Sequence, residues 1–146
     1  MVMTKAQSEA QWELDKLVRD LDMQSNARMR EWVAGLGLTV AQASALREMT
    51  GPMTMRELAE RMSCEPSNAT FVIDKLETLR LIERRPNPAD RRVRRLVLTP
   101  AGAELRKRLM KVLSEEPLFA GLTQDEQDAL QGLLKRALFR AEVLRP

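Results

Sequence analysis

Apolar residues recur along this chain at the three- and four-residue spacing of one face of an α-helix, and helix-starting signals stand ahead of them. Over residues 8–33, Leu14, Leu17, Val18, Leu21, Met29 and Trp32 fall on one side. The last helix repeats the pattern more regularly, with Leu130, Leu133, Leu134, Ala137, Leu138, Ala141 and Leu144 in one stripe. A Ser or Thr followed three residues later by Glu or Gln caps the unpaired N–H groups of a first turn reciprocally. That pairing occurs at Ser8 with Gln11, Thr39 with Gln42, Thr54 with Glu57 and Thr123 with Glu126, and Pro66 and Pro100 stand at the first position of two further helices. Six helices are therefore predicted.

The middle of the chain reads as a motif. Gly51-Pro52 ends a helix over residues 39–49, Thr54 opens another to about residue 62, and Ser63-Cys64-Glu65 separates it from a third over residues 66–79. Two helices joined by so short a turn suggest a helix-turn-helix. Residues 81–86 and 93–98 then read as strands around a turn at residues 87–90, whose Asn, Pro and Asp content favours a reversal. A β-hairpin directly after a helix-turn-helix makes a winged helix. The expected fold is mainly α with a small β-hairpin wing: an N-terminal dimerisation helix (residues 1–34), a winged helix-turn-helix (35–99) and C-terminal dimerisation helices (100–146). The apolar stripes of the two terminal helices exceed what the short central helices can cover, so a homodimer built from both chain ends is expected.

Composition narrows the chemistry. The 146 residues, 44% apolar, suffice for one domain with a core. With no histidine and one cysteine, imidazole or multi-thiolate zinc sites, a histidine-based triad and an internal disulfide are excluded. No Gly-rich phosphate loop is present, and no carboxylate pair stands out from ordinary helix-surface charge, so no enzyme, cofactor or metal is expected. The N-terminus lacks the basic-then-apolar layout of a signal peptide and no apolar run reaches membrane-spanning length, so a soluble, cytosolic protein without a membrane partner is expected. The net charge of +3 names no partner, but residues 80–95 alone hold seven arginines against Glu83 and Asp90.

On a projection of residues 66–79, Ala69, Val72, Ile73 and Leu76 share the face that packs on the preceding helix, while Ser67, Phe71, Asp74 and Thr78 point away, flanked by Asn68, Thr70 and Lys75. The exposed first turn is what would enter a DNA major groove. Ser67, Asn68 and Thr70 offer short hydrogen-bonding groups for base edges, Asn68 especially for adenine; as a plainer alternative, Ser67 and Asn68 merely favour a first turn. Phe71 either touches a thymine methyl or folds back onto the neighbouring helix as core. Lys75 is placed for phosphate, whereas Asp74 repels phosphate unless an arginine pairs with it or a cytosine amine donates to it. Arg91 and Arg92, at the tip of a thin ribbon, can reach a narrow minor groove. Arg84, Arg85, Arg94 and Arg95 alternate in facing, so about half can point at one duplex. Cys64, with Arg61 near it, reads as a small turn residue rather than a reactive thiol.

The strings Glu57-Leu-Ala-Glu-Arg-Met62, Pro66-Ser-Asn-Ala-Thr70, Ile73-Asp-Lys-Leu-Glu77, Leu81-Ile-Glu-Arg84, Asp90-Arg-Arg92 and Leu98-Thr-Pro-Ala-Gly102, in this order and spacing, resemble the MarR family of bacterial transcriptional regulators. The resemblance covers nearly the whole chain. It implies a winged-helix homodimer on a pseudo-palindromic double-stranded DNA operator, usually repressing nearby genes and often released by a small molecule. It also implies that Arg92 enters the minor groove, at the tip of a wing over residues 87–92, and that Asp90 fixes its orientation. Two positions depart from the family pattern: Arg80 stands where glycine is common, and Phe71 where arginine or glycine is usual. Some relatives sense oxidants through a cysteine in the first helix, where this chain has none. A small-molecule effector, an apolar or aromatic anion, would bind between the dimer region and the winged helix. Its contact residues are not identified, because Met29 and Trp32 read as core. The alternative function is a winged helix used for protein contacts without specific DNA binding.

Overall fold

A computed structural model of the chain describes residues 2–144, so residues 1, 145 and 146, at the ends of the expected terminal segments, lie outside the described residues. Six helices and one hairpin follow in order: α1 (Lys5–Val33), α2 (Val40–Glu48), α3 (Met55–Arg61), α4 (Pro66–Thr78), β1 (Ile82–Pro86), β2 (Arg94–Leu98), α5 (Pro100–Glu115) and α6 (Gln124–Val143). The mainly helical fold with a hairpin wing is as the sequence predicts.

The first helix starts earlier than expected. Thr4, not Ser8, is its cap: Thr4 Oγ1 accepts the Gln7 backbone N–H at 3.2 Å, and the Gln7 side chain accepts the Thr4 N–H at 2.8 Å. The Ser8 N–H already donates to the Thr4 carbonyl. Both pairs have the same spacing, and the upstream one prevails because Lys5, Ala6 and Gln7 are favourable helix residues and each added residue brings a hydrogen bond once a helix is nucleated. The other three reciprocal caps form at Thr39 with Gln42, Thr54 with Glu57 and Thr123 with Glu126.

The chain divides into two compact units, one running through Val112 and the other starting at Leu113. In the first, α4 lies against α2 and α3 and buries Ala69, Val72, Ile73 and Leu76, the face expected from its periodicity. The strands pair antiparallel in the register Ile82↔Leu98, Arg84↔Leu96 and Pro86↔Arg94, which sets Ile82, Arg84 and Leu96 on one face. Ile82 and Leu96 from that face are buried, and Met53 exchanges two backbone bonds with Leu96, tying the hairpin to the segment before α3.

Both helices of the helix-turn-helix stop in the same way. After α3, Ser63 adopts φ 52°, the Cys64 N–H reaches back to the Ala59 carbonyl, and the Ser63 N–H reaches Glu60. After α4, Arg80 adopts φ 58°, the Leu81 N–H reaches the Leu76 carbonyl, and the Arg80 N–H reaches Glu77. This left-handed closure satisfies the last carbonyls and favours glycine, so each non-glycine residue stores strain of about 1 kcal/mol or more. Thr99 braces the second closure. Its hydroxyl donates to the Arg80 carbonyl at 2.7 Å and accepts the Gly102 N–H at 3.0 Å, while its own N–H donates to the Leu81 carbonyl. A Cβ on Gly102 would stand 1.9 Å from the Leu81 oxygen, so glycine is required for α5 to begin there.

The terminal helices are different. Met29 and Val33 are buried near the end of α1, but Leu14, Leu17 and Val18 are exposed. In the second unit the Gln127 side chain donates to the carbonyls of Phe119 and Leu122, folding the preceding loop onto α6, yet α6 has no buried residue. No described helix is long and apolar enough to cross a membrane.

Candidate nucleic-acid interface

The start of α4 is built to be open. Glu65 occupies the cap position without a side-chain bond to the helix, and Pro66 carries no N–H. Ser67, Asn68 and Thr70 are all exposed on the first turns. The side chains of Ser67 and Asn68 have no hydrogen-bond partner among the described residues. Thr70 differs, because its hydroxyl donates to the Pro66 carbonyl at 2.9 Å. Its oxygen is left as an acceptor, suited to an exocyclic amine of adenine or cytosine.

Phe71 does not fold back onto the neighbouring helix. The ring is 66% exposed, and its partner is Lys75, whose Nζ lies 5.9 Å from the ring centroid. Asp74, whose role the sequence leaves open, is paired: Arg84 Nη2 donates to Asp74 Oδ1, and Arg84 Nε lies 3.8 Å from Glu77 Oε2. A carboxylate on the outward face of α4 is thus matched by a guanidinium from the root of the wing. The partner is legible in outline, since Arg84 shares the two-residue alternation of Ile82 and so faces inward. That it reaches α4 depends on the hairpin register, which spacing alone does not supply.

The other arginines divide. Arg85 bonds Glu83 through Nε at 3.0 Å and Nη2 at 2.8 Å. Arg95, opposite Arg85 across the strands, is half-buried, and Arg94 is exposed. At the wing tip the Asp90 carboxylate accepts the Arg92 backbone N–H at 3.0 Å, and the Asp90 carbonyl accepts that of Val93. Asn87 closes the other side, its side chain accepting the Ala89 N–H. The contact thus sets the Arg92 backbone and leaves the guanidinium unpaired. Arg91 and Arg92 are exposed and form no ion pair among the described residues. Lys75, Arg91 and Arg92 therefore present unneutralised charge, and Arg84 and Arg85 do not.

Two further sequence readings concern Cys64 and the end of α1. Cys64 is half-buried, and Arg61, near it in sequence, commits its guanidinium to the Glu48 carbonyl and the Thr50 hydroxyl. Met29 is buried and Trp32 half-buried. Among the described residues no cluster of His, Cys, Asp and Glu could hold a metal.

A model of the MarR family matches residues 38–93, which span α2, α3, α4, β1 and the turn of the wing and stop before β2. The multiple antibiotic resistance protein MarR of Salmonella typhimurium is 30% identical over 131 residues, 86% of this chain and 90% of that protein. The chain belongs to the MarR family. A second relative, the HTH-type transcriptional repressor MdtR of Bacillus subtilis, is 36% identical over 97 residues, covering 60% of this MarR-family chain. The chain spans 63% of MdtR and 58% of another Bacillus subtilis regulator that it matches. Among solved structures, a mutant of MarR from E. coli complexed with operator DNA superposes with a TM-score of 0.71 at 27% identity, covering 86% of this chain and 94% of that one. In this MarR-family chain the left-handed closure after α4 rests on Arg80, and the outward centre of α4 carries Phe71.

Proposed function

We propose that this chain is a sequence-specific DNA-binding transcriptional regulator, a repressor that acts in the cytoplasm as a homodimer and responds to a small molecule. One observation carries the DNA reading: α4 is split by side. Its inner face is buried, while its outer face offers uncommitted polar groups beside a wing whose tip holds two unpaired arginines. Ser67, Asn68 and Thr70 contact base edges in a major groove, and Lys75 takes a phosphate. Arg91 and Arg92 enter the flanking minor groove, with Asp90 setting the backbone from which Arg92 projects. The exposed stripes of α1 and α6 supply the dimer contact, which sets two half-sites a whole number of helical turns apart, about 10 base pairs per turn. Repression is supported by the kinship with MdtR, itself named a repressor. A ligand that binds one spacing of the two α4 helices better than the other shifts the population toward it and weakens the operator complex.

Selection of bound sequences from random duplexes by the full chain tests this reading. The expected result is an enriched inverted repeat, bound with steep salt dependence because phosphate contacts release counterions. Absence of enrichment at any salt concentration would instead favour a winged helix used for protein contacts.

A further inference from the structure

Helix α4 carries one large apolar side chain that its own chain does not cover. Phe71 is 66% exposed on the face opposite Ala69, Ile73 and Leu76. Lys75, one turn on, sets its ammonium over the ring, an arrangement that is favourable in itself. The surrounding surface is Ser67, Asn68 and Thr70, with the carboxylate of Asp74 already matched by Arg84. A protein-association patch is apolar and aromatic at its centre and depleted of charge. A single ring set among hydroxyls, an amide and an ammonium has a different character. It matches a major groove, where donors and acceptors line the base edges and the apolar feature is a pyrimidine C5-methyl.

We propose that Phe71 reads the C5-methyl group of a pyrimidine in each half-site. The proposal rests on the reading of α4 as the recognition helix. Thymine and 5-methylcytosine present the same methyl in the same place, so the ring contact serves either, and Phe71 becomes the apolar member of a readout otherwise made of hydrogen bonds.

The test uses duplexes that the full chain selects from a random library. Each thymine is replaced singly by deoxyuridine, which removes the methyl and leaves every hydrogen-bonding group in place. One thymine per half-site should then bind about fourfold more weakly, the value of one buried carbon. Phe71→Ala should bind the thymine and uracil duplexes equally, and Phe71→Leu should keep part of the difference. At the same position, cytosine and 5-methylcytosine identify the source of the methyl. Recovery with 5-methylcytosine shows that the methyl suffices, and recovery with thymine alone shows that the rest of the base is read as well; either upholds the proposal. Equal affinity for thymine and uracil at every position, with tight binding retained, overturns the Phe71 reading and leaves the regulator reading standing. A library in which no sequence is enriched overturns both. Because the ring is exposed, Phe71→Ala should keep the thermal stability of the parent. A changed sedimentation coefficient with an unchanged thymine preference would reassign Phe71 to a protein contact and overturn the proposal.

Discussion

The winged helix and the terminal helices use the same amphipathic pattern to different ends. In α4 every apolar residue of the inward stripe is buried by α2 and α3. In α1 and α6 the stripe is just as regular, yet Leu14 is 62% and Leu138 66% exposed. One periodicity closes a core within the chain; the other leaves an unfilled surface of the kind a second copy can cover. Hydrophobic period therefore tells which face is apolar, and only structure tells whether the chain has used it.

Substitutions can break this contrast, beginning with the core. Leu76→Ala removes a fully buried side chain from α4 and should cost about 2–5 kcal/mol in chemical denaturation, whatever the protein concentration. Leu134→Ala with Leu138→Ala in α6 should behave otherwise. Sedimentation should show dissociation, the melting temperature should become more dependent on concentration, and operator affinity should fall by about a hundredfold or more as the two half-sites come apart. If this pair leaves association unchanged, the α6 stripe is not the dimer contact. Gly102→Ala drives a methyl into the Leu81 carbonyl and should destabilise the winged helix by about 1–3 kcal/mol. Arg91→Ala with Arg92→Ala should leave thermal stability unaltered while reducing the slope of log affinity against log salt by about two, one for each cationic side chain no longer brought into the negative potential of the minor groove. The smallest effect runs the other way. Arg80→Gly relieves a left-handed arginine at φ 58° and should stabilise the fold by about 1 kcal/mol, read as a raised denaturation midpoint.

Much of this is legible in the sequence. The buried and exposed faces of α4, the hairpin and three of four reciprocal caps follow from local signals, namely helical periodicity, the turn residues at 87–90 and cap pairs three residues apart. The start of α1 is ambiguous for the same reason: Ser8 and Gln11 satisfy the spacing rule as well as Thr4 and Gln7 do, and the rule does not say which competitor wins. What escapes the sequence is long-range or conformational. The pairing of Arg84 with Asp74 and the grip of Arg61 on the Glu48 carbonyl join residues ten or more apart. The left-handed Ser63 carries no signal in its residue type, whereas Arg80 stands out against a family habit of glycine. Among candidate contact residues, sequence can place Phe71 outward or inward with equal ease, and burial decides between them.

The division of α4 by side bears on how such a regulator changes over generations. Ser67, Asn68 and Phe71 are exposed and belong to no core, so replacing them should cost little in folding or abundance. Buried Ala69, Ile73 and Leu76 enjoy no such freedom. On the proposed readout, a duplicated copy can therefore drift to a new address in the genome one outward residue at a time while its scaffold stays intact.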